Sequence, residues 1–79
     1  MQINDRIYYT GDADNTPEWT TITKITTDWK GREQIRLDFD NGGPHNTMYA
    51  ANVGDAYNGT CSPRYVTERS FKAYQNVTA

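Results

Sequence analysis

Cysteine is nearly absent from this chain, and what little there is excludes a disulfide scaffold. Cys61 stands alone and has no internal partner, so a reducing cytoplasm is the expected compartment. Long apolar runs are missing too. No stretch approaches the roughly 18 residues that a membrane helix needs, so no membrane partner is expected. Met1 to Arg6 lacks the basic and apolar segments of a secretion signal. The chain is therefore read as a complete intracellular protein, and the glycosylation-like triplets at Asn58 and Asn76 as chance. Histidine is as scarce as cysteine. His45 and Cys61 lie in separate loop-like segments, and no phosphate-binding glycine loop, zinc spacing or nucleophile motif occurs. No catalytic residue, cofactor or metal is expected, and the chain is not expected to be an enzyme.

Lysine and arginine are also few, eight against ten acids, for a net charge of −2. The imbalance is local. Residues 1–40 carry Asp5, Asp12, Asp14, Glu18, Asp28, Glu33, Asp38 and Asp40 against five bases, a net of −3. Residues 41–79 carry Asp55 and Glu68 against Arg64, Arg69 and Lys72, a net of +1. Nucleic acids are held mainly by many cationic contacts to phosphate, so nucleic acid is not expected as the main partner.

What the chain does have is aromatic residues and β patterning. Only 35% of residues are hydrophobic, yet ten rings occur in 79 residues. Each ring can bury roughly 150–250 Å², enough for a small single-domain core. In Ile35-Arg36-Leu37-Asp38-Phe39-Asp40, apolar and polar residues alternate, and Asn41-Gly42-Gly43 follows as a turn. Ile3 to Thr10 predicts a first strand with a turn or bulge near Asp5. Gly11 to Glu18 is a loop by composition. Trp19 to Asp28 is a Thr/Ile-rich strand. Because Ile22 and Ile25 differ in parity, that strand needs a bulge or is buried on both faces. Trp29 to Arg32 turns the chain, and another strand is expected from His45 to Ala51. A loop follows over about 52–66. Thr67, an N-cap, then opens a helix over about 67–76.

The fold class expected is mainly β: a small antiparallel barrel of four to five strands over about 2–55, with a short C-terminal helix. The segment Asn4-Asp5-Arg6-Ile7-Tyr8-Tyr9, the meander and the Asp38-Phe39-Asp40-Asn41-Gly42 hairpin together resemble SH3-like barrels of the KOW and Tudor kind. Tudor-like barrels use rings as cages for methylated Lys or Arg. That resemblance implies a reader of nucleic acid or modified peptide as the alternative function. In size, charge and self-contained β fold, the chain also looks like small acidic proteins of phages and mobile elements. Some of these inhibit host defence systems.

Two surface features are candidate sites. Asp12, Asp14 and Glu18 put carboxylates in one loop, and Asp38 and Asp40 share a strand face. Alternating Asp residues could hold Ca²⁺, but the closing Glu of a calcium loop is missing. The electrostatic reading is stronger: these acids would dock on a basic surface of a host protein. The aromatic surplus is the second feature, with Tyr8 and Trp29 expected as the exposed pair. The plainer reading is that the acids are solvated and the rings pack in the core or its rim. The function expected is a non-enzymatic protein-binding module that inhibits a host protein by occlusion.

Overall fold

The structure, a computed structural model, describes residues 1–12, 14–42 and 46–78. Five antiparallel strands form one curled, half-barrel sheet: β1 (Arg6–Tyr9), β2 (Glu18–Thr27), β3 (Glu33–Phe39), β4 (Asn46–Tyr49) and β5 (Tyr65–Thr67). Their order across the sheet is β4-β3-β2-β1-β5. Helix α1 (Glu68–Thr78) follows β5 directly. The mainly β class with a C-terminal helix is as the sequence led us to expect.

The concave face holds the core. Ile7, Tyr9, Ile22, Ile35, Leu37, Val53 and Tyr65 are buried there, with Ile25, Phe39, Met48 and Ala50 packed against them. A bulge makes this possible. Ile22 pairs with Leu37 but Lys24 pairs with Arg36, so the register shifts at Thr23. The extra residue resets the two-residue period, and Ile22 and Ile25 face inward together. Thr20 is fully buried in the same layer, and its hydroxyl donates to the Ile7 carbonyl at 2.8 Å.

The convex face carries a second layer that the sequence reading did not contain. Tyr8 pairs with Trp19 on one side and Val66 on the other. Phe71 of α1 lies over them, with ring centroids 4.2 Å from Tyr8 and 5.1 Å from Trp19. Tyr57 stacks on Phe71 at 5.5 Å, and Tyr74 meets Tyr57 at 4.9 Å. The helix is thus fixed to the back of the β1 end of the sheet by rings. Thr67 caps it: the Ser70 amide donates to Thr67 Oγ1 at 3.2 Å.

Several boundaries differ from expectation. The turn before Arg6 is present: Asn4 has φ 77°, and the Asp5 amide bonds to the Gln2 carbonyl. Ile3 therefore lies outside the strand and is 54% exposed. The expected loop over 52–66 contains more order than its Gly, Asn and Pro content signals. Tyr65–Thr67 is a strand, and Gly54 bridges to it through Gly54 N–Tyr65 O (2.8 Å) and Thr67 N–Gly54 O (2.9 Å). A short 3-10 turn occupies Ala50–Asn52, where the fourth strand was expected to continue. The helix runs two residues beyond the expected end. His45, the expected start of β4, and Gly43 of the hairpin turn lie outside the described residues.

Candidate functional site

The seven residues singled out in the sequence do not form one surface. Asp12, Asp14 and Glu18 lie at the end of the sheet where β2 begins, close to Asp40, whose amide bonds to the Trp19 carbonyl. Trp29 lies beyond the far end of the β2–β3 ladder, which runs from Thr20↔Phe39 to Thr27↔Glu33. At about 3.3 Å per residue, the two groups are separated by roughly 25 Å. Tyr8 belongs to neither. It is half-buried beneath α1, because the face opposite Ile7 is covered by the helix and not by solvent.

Most of the carboxylates already serve the fold. Asp12 Oδ2 accepts from the Tyr9 hydroxyl at 2.5 Å, while Oδ1 accepts from the amides of Asp14 and Asn15, each at 2.8 Å. The Tyr9 hydroxyl and these amides hold the Asp12 carboxyl down to about 2. Burial, and then the same bond, push the Tyr9 phenol up to about 12. Glu18 accepts from the Asn41 amide at 3.1 Å. Arg6 reaches across the sheet and chelates Asp40, which lowers the Asp40 carboxyl, and Arg36 Nε lies 3.3 Å from Asp38 Oδ1. Asp14 is exposed. The continuous negative surface expected from the sequence is therefore divided among internal bonds. No group of three or more metal-ligating side chains comes together among the described residues.

Two of the three tail bases are paired as well, Arg69 with Asp55 and Lys72 with Glu68, while Arg64 is exposed. Cys61 is exposed, and its Sγ lies 3.5 Å from the Thr10 carbonyl. His45, the other residue weighed for catalysis, is outside the described residues.

The hairpin tip is different. Trp29 is 86% exposed, whereas every other aromatic ring is buried or half-buried. The turn that presents it is firmly built. Asp28 accepts from the amides of Lys30 and Arg32 through Oδ1, each at 2.9 Å, and from Arg32 Nε through Oδ2 at 2.8 Å. Its carboxyl is lowered by these bonds, which overcome an opposing burial effect. Gly31 takes φ 80°, the left-handed conformation that glycine adopts without strain. Lys30 Nζ lies 4.9 Å from the Trp29 ring centre, and the Arg32 guanidinium lies 4.6 Å from that of Tyr49.

Behind the tip, the convex face of β2–β3–β4 brings two bases side by side, with Asp38 further along the same face of β3. Lys24 lies directly across from Arg36, and Arg36 directly across from Thr47. With Thr26 and Ile35 these residues line a shallow depression. Residues 24–36 hold four bases (Lys24, Lys30, Arg32, Arg36) and two acids (Asp28, Glu33) in a chain of net −2. In the sequence Arg36 stands only as one polar residue of an alternating strand. The parity break between Ile22 and Ile25 was the available signal that Lys24 sits beside it.

No helix among the described residues is long and apolar enough to cross a membrane. Comparison of the chain with protein-family models, curated proteins and solved structures returns no match.

Proposed function

We propose that this chain acts by binding another protein, without catalysis, and that the β2–β3 hairpin tip is its principal contact. The observation that carries this reading is Trp29, the one ring left in solvent while all others pack. Tryptophan is prominent among interface hot spots because a single burial removes a large apolar area from water. The Asp28 network holds the turn in place before any partner arrives, which lowers the ordering cost of association.

A sharper form of this reading makes the chain an occluding inhibitor of a host protein, in the manner of small phage or mobile-element factors. The −3 charge of residues 1–40 and the exposed Asp14 support that form. The alternative, a Tudor-like cage for a methylated cation, draws on the paired cations and rings. Those ring faces already carry Lys30 and Arg32, and a ligand cation would have to displace them.

The experiment is capture from lysate of the native host with three immobilised proteins: wild type, Trp29→Ala, and Asp14→Lys/Glu18→Lys. Asp12 is left intact because it organises its loop. Loss of a hot spot worth about 2 kcal/mol lowers retention about 30-fold. That loss is expected for Trp29→Ala and not for the charge reversal. The opposite pattern would move the contact to the acidic loop.

A further inference from the structure

We infer that the Lys24–Arg36–Thr47 row is a carboxylate-binding subsite for an acidic segment of the protein partner. This inference rests on the binding role of the hairpin and specifies the chemistry beside Trp29.

Two cations directly opposite each other across antiparallel strands repel, and such a pair lowers stability unless something compensates. Here the fold compensates only partly. Arg36 turns Nε toward Asp38 at 3.3 Å, and its terminal nitrogens make no hydrogen bond among the described residues. Lys24 makes no ion pair and no side-chain hydrogen bond among the described residues. A guanidinium anchored through Nε keeps its terminal N–H pair for another acceptor, and such a pair can take a carboxylate in two parallel bonds. The Thr26 and Thr47 hydroxyls flank the same depression and supply further donors.

The choice of a protein carboxylate over a nucleic-acid phosphate follows from extent and surroundings. A phosphate backbone is held by many cations along a track. This row offers two, and the other bases of the hairpin, Lys30 and Arg32, already lie over the Trp29 and Tyr49 rings. A short acidic segment needs no more than this row, and Trp29 on the same hairpin supplies the apolar anchor.

The test is an amide-resolved NMR titration of the isolated full chain with three probes: a glutamate hexapeptide, inorganic phosphate and a ten-residue oligo-dT. The hexapeptide is expected to give saturable shifts centred on Lys24, Thr26, Arg36 and Thr47. Lys24→Gln/Arg36→Gln should weaken these by about tenfold or more without lowering the unfolding midpoint, because the repulsive pair is gone. Trp29→Ala should leave them intact, so failure of the tip and failure of the subsite read separately. Shifts spread evenly over all basic residues, or none, would overturn the subsite. Tighter binding of oligo-dT than of the hexapeptide would overturn the choice of ligand.

Discussion

Asp12 shows how one side chain can look like a docking group in sequence and be a structural group in the fold. Its two oxygens tie the first long loop to Tyr9 and to the amides of Asp14 and Asn15. The linkage has a definite sign. The folded carboxyl is near 2 against an ordinary 3.8, so its stabilisation is complete above 3.8 and is lost as pH falls toward 2. The Tyr9 phenol is raised from 10 to about 12, so its stabilisation holds below 10 and is lost as pH rises toward 12. Urea unfolding of wild type and Tyr9→Phe across pH should therefore show the largest gap between pH 4 and 10, closing at both ends. A gap independent of pH would break the link to Asp12. Gly54 offers a second test at this scale. A Cβ there would lie 2.3 Å from Pro63 Cγ, a stiff ring atom, while the Gly54 amide and carbonyl hold β5. Chemical denaturation should find Gly54→Ala destabilised by about 1–3 kcal/mol. None of these residues announces its role in sequence. Asp12 reads as one acid among several, because hydrogen-bond partners depend on which loops the fold brings together.

Among the elements, β2 was read most fully. Its Thr/Ile content marked a strand, and the parity conflict between Ile22 and Ile25 asked for a bulge or burial on both faces; the structure has the bulge, at Thr23. That bulge predicts an asymmetry. Thr23→Ala leaves the backbone count intact and should change stability by no more than about 0.5 kcal/mol. Deleting Thr23 leaves Ile22, Lys24 and Ile25 in regular alternation opposite Leu37, Arg36 and Ile35, so cooperative unfolding, as followed by circular dichroism, should survive; deleting Arg36 from the unbulged β3 would put Ile35 and Leu37 on opposite faces and should abolish it. β3 was equally legible, because strict alternation survives when one face is buried. β5 was not. Three residues carry almost no periodicity, and its pairing with β1 spans more than fifty positions of chain. The N-cap at Thr67 was visible, but the strand ending there was not.

At the scale of the molecule, two aromatic layers on opposite faces of one sheet account for the ring count. Sequence reading left the surplus between a surface site and packing in the core or its rim, since it had no second layer to receive it. Phe71 is the test of that layer: it touches Tyr8, Trp19 and Tyr57. Phe71→Ala should cost about 3 kcal/mol, at the low end for a packed ring, and loosen the helix in hydrogen exchange before the sheet. Trp29 alone was correctly read as exposed, because a turn residue has no neighbouring layer. Its partner in that expectation, Tyr8, was covered by an element distant in sequence. The account's central claim is that contact is made at the hairpin tip. It is tested most directly by placing a photo-reactive phenylalanine analogue at position 29 or at position 14 and irradiating in native-host lysate. A discrete protein adduct from position 29, with none from position 14, is the predicted result. An adduct from position 14 alone would contradict the claim.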